Sequence, residues 1–462
     1  MSVELNRPPM EVFHMPGLHP GMFYLPPRPG WVLRPAEGAS VRMFAESDVP
    51  ELREMQQSAI RRQKRRGLVG VMEVNSAPVL LENARFRNSF GTIDGRIWLN
   101  GAAGERMRNK FDQSNPQEWQ LGRLYSAFRR ARNEAALPLP VYKSPVDHLP
   151  VAIELKNGFN YYHFTTETLG SLAHFVDDDS DQPINLHLPQ DNLRDFMRKF
   201  VEEIFPTLAD RVAFVSAARH YPQVRSVYSH RHYLYQVEDA RLRAVVAGQE
   251  MDPRWNTLRP EPPYCKRIAM ASFDSSLRML REQALRRVPR KLVEQLPRLV
   301  WMGRDEGGAA RLRGLTGQAR LMAGLGERGF HCVAFEHLSP LEQIAQMQAA
   351  DILVAPHGAG LANMTYAKPG ALVIEIGTRQ TQMHRWGDFL PCAHVSRCRY
   401  DTVFADIAGV SRAGEVPPMS EGHMGIHIGK RATRRVLALV DEALGTLPAG
   451  PQPPDPSISR NS

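Results

Sequence analysis

Asp351-Ile-Leu-Val-Ala-Pro-His-Gly-Ala-Gly-Leu-Ala-Asn-Met-Thr-Tyr-Ala-Lys-Pro-Gly-Ala-Leu-Val-Ile-Glu-Ile376 joins two apolar runs through a turn of small residues. Ile352 to Ala355 stop at Pro356, and His357, Gly358, Ala359 and Gly360 follow. Leu361 to Tyr366 suit a helix, and Pro369-Gly370 turns the chain into Ala371 to Ile376. Strand, glycine turn, helix and strand form a βαβ crossover, which joins parallel strands. Such a turn aims free backbone N–H groups and the positive end of a helix outward, where anions such as phosphates bind. Open α/β sheets bind ligands at the carboxyl ends of their strands, so this turn is a candidate site.

The alternation extends upstream. Arg298 to Met302 predicts a strand, Gly314 to Arg328 a helix stopped by Gly329, and Phe330 to Phe335 another strand. Ser339-Pro340-Leu341-Glu342 combines an N-cap, a first-position proline and a capping-box glutamate, opening a helix to about Ala350. An earlier layer repeats the pattern, with strands at Val151 to Leu155, Ile184 to Leu188 and Arg211 to Val215. Helices are expected between them, at about Tyr161 to Phe175 and Asn192 to Ile204. Pro78 to Arg87 and Gly91 to Leu99 alternate like strands around glycine turns, and a helix is expected at Glu118 to Arg132. The expected fold is α/β, with two Rossmann-like domains facing a cleft and a small β-rich N-terminal region. The expected divisions are a Pro-rich, partly helical segment at 1–75, a β-rich entry with a first Rossmann-like domain at 76–235, and a bridging helical segment at 236–297. A second Rossmann-like domain at 298–445 and a disordered tail at 446–462 complete the chain.

A chain of 462 residues, 43% apolar and 23% charged, can bury two or three substantial cores. Its net charge of +9 is scattered, with clusters only at Arg61 to Arg66 and Arg431 to Arg435. That distribution suits an anionic substrate, peripheral association with an acidic membrane, or a plain solvated surface. No aromatic-basic pattern points to nucleic acid. Cys265, Cys332, Cys392 and Cys398 are too few and too irregular for a disulfide framework or a structural zinc site, and Cys332, inside an apolar run, is expected to be buried. Residues 1–34 lack the apolar core of a secretory signal, and no stretch approaches the roughly 20 apolar residues of a membrane span. The expectation is a reducing, cytoplasmic setting, with peripheral membrane contact as the alternative.

The second informative stretch is Asn157-Gly-Phe-Asn-Tyr-Tyr-His-Phe-Thr-Thr-Glu-Thr-Leu169. His163 and Glu167 are four apart, hence on one face of a helix, and Asn160 stands where an N-cap would. A histidine paired with a carboxylate beside a cleft is what proton abstraction from a hydroxyl needs, although a surface pair reads the same way. His163, Glu167 and His174 match no strong metal spacing, and Asp177-Asp178-Asp179 suits a solvated loop better than a metal-holding Asp-x-Asp. Arg304, just past a strand end, can reach a diphosphate with its planar fork, assisted by Arg311 and Arg313, although on spacing alone each of them reads equally as a surface charge. His357 can donate to a phosphate or fix the loop. Asn363 can cap or contact a ribose, and Glu375 can accept from ribose hydroxyls or pair with an arginine.

These residues together resemble glycosyltransferase family 61. Pro356-His-Gly-Ala-Gly-Leu-Ala-Asn363, continuing through Pro369-Gly-Ala-Leu-Val-Ile-Glu375, is similar to that family's donor-side signature. Leu338-Ser-Pro-Leu-Glu-Gln-Ile344 resembles the helix before it, Asn160-Tyr-Tyr-His-Phe-Thr-Thr-Glu167 the N-terminal element, and Val300-Trp-Met-Gly-Arg304 the strand that ends in arginine. Glu167 stands where many members carry aspartate, Gly303 where serine is common, and Leu315-Thr-Gly-Gln318 where an Asn-Glu pair often follows. The resemblance implies an inverting, GT-B-type transferase that uses a nucleotide-sugar donor and no metal or other cofactor. The acceptor would be a hydroxyl of a glycan, a lipid-linked sugar or a protein, in bacterial capsular or extracellular polysaccharide assembly. Glu167 or His163 would be the base, with Asn160, Arg304, His357, Gly358, Ala359, Gly360, Asn363 and Glu375 holding substrate. An epimerase-like nucleotide-sugar enzyme and a non-catalytic nucleotide-sugar-binding protein are the alternatives.

Overall fold

A computed structural model describes residues 5, 7–67, 71–114, 139–155, 159–189, 193–234, 268, 272–303, 314–418, 421–422 and 424–446. The two apolar runs of the signature are the neighbouring strands Ile352–Pro356 and Leu372–Gly377, buried along their whole length. They lie in an all-parallel six-stranded sheet in the order His331–Ala334, Leu299–Gly303, Ile352–Pro356, Leu372–Gly377, Arg399–Phe404 and Ser40–Ala45. Continuous apolar strands of this kind need cover on both faces. Apolar residues of the helices Ala319–Gly326 and Lys430–Leu444 supply it on one side, and a larger core on the other. Ser339 and Glu342 cap each other at the start of the helix Pro340–Ala349, as their spacing predicts.

The earlier strands belong to a second sheet of nine strands among the described residues. Val151–Glu154, Ile184–His187 and Val212–Val215 run parallel in it, beside the long strand Arg219–Ser229. That strand pairs antiparallel with Ser76–Arg87, and Phe86 near the end of the latter stacks on His187, 4.9 Å between ring centroids. The protein is therefore mixed α/β with several sheets. One apolar cluster runs continuously from Phe164, Leu169 and Phe200 through Leu277 to Leu361, Met364 and Phe389. The helix Ser275–Arg287 packs on both 169–175 and 359–366, and the approach is close: a Cβ on Gly170 would lie 2.5 Å from the Ser276 carbonyl oxygen.

Several expectations change. Residues 40–45, expected in an N-terminal segment of their own, form the edge strand of the six-stranded sheet. Arg42 anchors it by ion pairs to the buried Asp401 at 2.7 Å and to Glu442 at 2.9 Å. The helix expected at Gly314 to Arg328 is shorter, because Leu315–Thr316 pairs as a strand with Ile426–His427. Cys332 is exposed, since its strand is the opposite edge of the sheet. The helix expected at Glu118 to Arg132, most of the segment at 236–271 and the tail at 447–462 lie outside the described residues. Among the described residues no helix is long and apolar enough to cross a membrane.

Glu154 ends the strand Val151–Glu154 with 8% of its surface exposed; neither carboxylate oxygen makes a hydrogen bond of normal geometry, and the nearby Asn100 side chain offsets its burial only in part. Burial raises its pKa from 4.5 to about 7. The folded protein thus binds this proton more tightly than the unfolded chain. The associated stability is full below about pH 4.5 and lost as the pH rises through about 7. Glu154→Gln should therefore stabilise the protein at pH 8, by up to on the order of 3 kcal/mol, and leave it unchanged at pH 4. Urea denaturation at the two pH values checks this, and an equal effect at both would contradict it.

Candidate active site

Asn160 accepts a hydrogen bond from the His163 backbone N–H at 3.3 Å and caps the chain where it turns helical. The expected helix over 161–175 divides into an α turn at Tyr161–His163, a π turn at Phe164–Thr168 and a 3-10 stretch at Leu169–Phe175. The cause is local. Thr165 and Thr166 donate their hydroxyls back to the carbonyls of Tyr161 and Tyr162, at 2.8 and 2.7 Å, and such back-bonding distorts a helix. Single π turns concentrate at functional sites. Across this one, His163 Nδ1 and Glu167 Oε2 lie 2.8 Å apart, with both side chains about one-fifth exposed. A carboxylate on Nδ1 fixes the tautomer and leaves Nε2 with its lone pair.

The glycine turn supplies the opposing wall. Gly358, Ala359 and Gly360 are accessible, and their amides donate to no backbone carbonyl among the described residues. They open the 3-10 helix Ala359–Tyr366. A Cβ on Gly360 would sit 3.1 Å from Met302 Sδ, so a larger residue there would press on the side chain of the neighbouring strand. His357 Nδ1 meets Glu375 Oε1 at 2.5 Å, and the Tyr400 hydroxyl donates to Glu375 Oε2. All three residues are buried, and burial beside Glu375 drives the Tyr400 pKa well up.

Three side chains bring the walls together. The Tyr161 hydroxyl lies 2.7 Å from Gln343 Oε1 and 2.8 Å from Asn363 Oδ1, and donates its single proton to one of them. Tyr162 donates to the Asp388 carbonyl at 2.6 Å. The Phe389 ring meets both Tyr162 and His357 edge-on, with centroids 5.5 and 5.6 Å away. Asp388 thus stands where the two elements converge. Burial raises its pKa from 3.8 to about 6, with Glu167 adding to the rise and Arg385, His357 and His163 opposing it. Its side chain is still 41% exposed, so solvent screens these interactions.

The structure therefore assembles Asn160, His163 and Glu167 with His357, Gly358, Ala359, Gly360, Asn363 and Glu375. Asn363 is spent inside the protein, donating to Gln343 at 3.1 Å with its Oδ1 2.8 Å from the Tyr161 hydroxyl. Glu375 likewise serves His357 and Tyr400. Arg304, Arg311 and Arg313 lie outside the described residues. His174 bonds Ser276 at 3.0 Å, and its burial lowers the pKa to about 4. Asp178 pairs with Arg211 and Arg225, at 2.9 and 2.8 Å. Tyr161, Gln343, Asp388 and Phe389 escaped the sequence reading, because only tertiary contact gives them a place here.

Residues 161–374 match the family model Glycosyltransferase 61. The matched span opens at Tyr161 and closes one residue before Glu375, so it contains His163, Glu167 and the Gly358 to Gly360 turn but neither Asn160 nor Glu375. The likeness is to glycosyltransferases, enzymes that bring a sugar donor and an acceptor together. No curated protein matches the chain.

In this segment the Tyr161 hydroxyl carries a test. Tyr161→Phe deprives Gln343 and Asn363 of a buried donor and should cost about 1–2 kcal/mol in urea denaturation. A variant as stable as the parent would show that the two walls are held by other contacts.

Proposed function

We propose that this chain is an inverting glycosyltransferase of GT-B arrangement, moving a sugar from a nucleotide-sugar donor to a hydroxyl acceptor in bacterial polysaccharide or glycoconjugate assembly. The observation that carries the reading is the packing of the segment bearing the His163–Glu167 pair against the 3-10 helix that the Gly358 to Gly360 turn opens. Neither alone specifies group transfer. Together they offer a base on one side and an anion cradle on the other.

In the proposed reaction Glu167 holds the Nδ1 proton of His163, and Nε2 takes the proton of the acceptor hydroxyl. The freed oxygen forms a bond to the anomeric carbon as the bond to the diphosphate breaks. The nucleoside diphosphate departs with the electron pair, and the amides of Gly358, Ala359 and Gly360, with Arg304, receive its charge in place of a metal. Glu167 stabilises the imidazolium that forms. Asp388 faces the sugar from the junction of the two walls and offsets its developing positive charge. His357, fixed by Glu375, and the Asn160 cap hold the two walls in shape. The basic clusters favour a cytoplasmic position beside an acidic membrane surface, where lipid-linked acceptors are found.

Glu167→Ala should lower transfer a hundredfold or more. It should leave nucleoside diphosphate affinity within about twofold, as the charge lost lies on the acceptor side. Arg304→Ala should do the reverse and weaken nucleoside diphosphate binding about tenfold or more. Calorimetric titration beside a radiolabelled transfer assay reads both. Undiminished turnover of the first variant would remove Glu167 from the mechanism, and unchanged affinity of the second would remove Arg304.

A further inference from the structure

Five large hydrophobic side chains are exposed among the described residues, and three of them meet at one short helix. The helix Arg379–His384 leaves the six-stranded sheet just after Leu372–Gly377, the strand beside the one that enters the glycine turn. Met383 lies on this helix with 54% of its surface exposed. Gln382 donates to the Gln56 carbonyl at 2.9 Å, which sets the exposed Met55 of the helix Pro50–Gly67 alongside. On the other flank Gln380 accepts from the Met424 backbone N–H at 2.9 Å, and Met424 is also exposed. At about 3.6 residues per turn, Met383 falls on the arc between Gln382 and Gln380, so the three methionines share one surface. Single exposed hydrophobics are ordinary, but a group of them marks an interaction surface.

The helix Pro50–Gly67 adds charge beside it. This helix buries Leu52, Gln56, Ala59 and Ile60, at spacings of three and four, and leaves Met55, Arg61 and Arg62 in solvent. Met55 and Arg62 are seven apart, hence on one stripe. Its acids, Glu51 and Glu54, belong to the opening turns, whereas its far end reads Arg61-Arg62-Gln63-Lys64-Arg65-Arg66, five cations in six residues. That end lies near the methionine-bearing helix, since burial lowers the Arg379 pKa and the charge of Arg62 adds to the fall. Both helices start from the same edge of the sheet as the glycine turn, because Ile352–Pro356, Leu372–Gly377 and Ser40–Ala45 run in one direction.

A cluster of roughly four to eight Lys and Arg residues on an amphipathic helix is drawn to anionic lipid. Single-stranded nucleic acid also takes such a run, but it stacks its bases on aromatic side chains, and the exposed neighbours of this run are methionines. A folded protein partner needs complementary shape over about 800 Å². Flexible methionine tips beside a diffuse positive charge match a fluid anionic surface instead.

We propose that Met55, Met383 and Met424, with the basic end of Pro50–Gly67, form a face that docks the protein on an acidic lipid bilayer. Docked in this way, the sheet edge that carries the glycine turn borders the bilayer. That a lipid-linked acceptor is thereby presented to the site rests on the proposed function. The docking itself does not.

The test is co-sedimentation of the full chain with vesicles of neutral phosphatidylcholine and with vesicles carrying about one-third phosphatidylglycerol, beside calorimetric titration with a nucleoside diphosphate. The acidic vesicles should bind at least about tenfold more tightly than the neutral ones. Arg61→Glu with Arg62→Glu should weaken that binding about tenfold or more, and Met55→Ser with Met383→Ser about threefold or more. Arg286→Glu with Lys291→Glu makes the same change of charge at exposed positions on the helices Ser275–Arg287 and Arg290–Glu294, and should leave binding within about twofold. Circular dichroism confirms that each variant is folded. Vesicle binding that is absent, indifferent to vesicle charge or to the methionine changes, or weakened as much by the second charge pair as by the first overturns the inference. A DNA oligonucleotide bound in place of vesicles overturns it as well and gives the basic end to nucleic acid. Nucleoside diphosphate bound without vesicles defeats this inference alone. Vesicles bound without nucleoside diphosphate defeat the transferase reading and leave the docking face standing.

Discussion

One hydroxyl group sets the geometry on which the rest depends. Tyr161 begins the element that carries His163 and Glu167, and its oxygen lies between Gln343 and Asn363, on the two helices flanking the strand that enters the glycine turn. A buried hydroxyl without a partner is costly, so this side chain can occupy its apolar surroundings only when the two walls are in contact. Its burial pushes the phenol pKa up and keeps it a donor. Around it, Phe196 and Phe200 pack their rings 5.4 and 5.7 Å away, which leaves the side chain no alternative place. Small residues complete the fit, with Gly170 admitting the Ser276 carbonyl and Gly360 admitting Met302.

Both histidines of the site are held through Nδ1 by a glutamate, but in different settings. His163 and Glu167 are partly exposed, a state compatible with exchanging a proton with a bound hydroxyl. His357 and Glu375 are buried, and Tyr400 occupies the second carboxylate oxygen. The first pair has the surroundings of a reactive group and the second those of a support. Under the proposed function, that contrast is the reason to give His163 the acceptor side and His357 the shaping of the glycine turn.

How much of this is legible in the sequence depends on how far each determinant reaches along the chain. The strands at 352 and 372 and the capping box at Ser339 announce themselves because apolar runs and capping residues act locally. The π turn does not, since it follows from hydroxyl rotamers of Thr165 and Thr166 that the helical periodicity cannot register. The edge strand Ser40–Ala45 is hidden for another reason, because its anchor, Asp401, lies 359 residues away. Asp388 belongs to no motif, and only the folded chain places it between Glu167 and His357. Asn363 is visible as a polar residue of a helix and Glu375 as a carboxylate at a sheet edge. Their internal partners are not, because Tyr161 is 202 residues from Asn363 and Tyr400 sits on another strand.

If the two walls form one nucleotide-sugar site, a crystal of the full chain soaked with a nucleoside diphosphate should show diphosphate oxygens within hydrogen-bond reach of the amides of Gly358, Ala359 and Gly360. His163 Nε2 should face the space beyond the terminal phosphate. Diphosphate bound away from this turn, or at it with His163 turned aside, would mean that the two walls do not share one site.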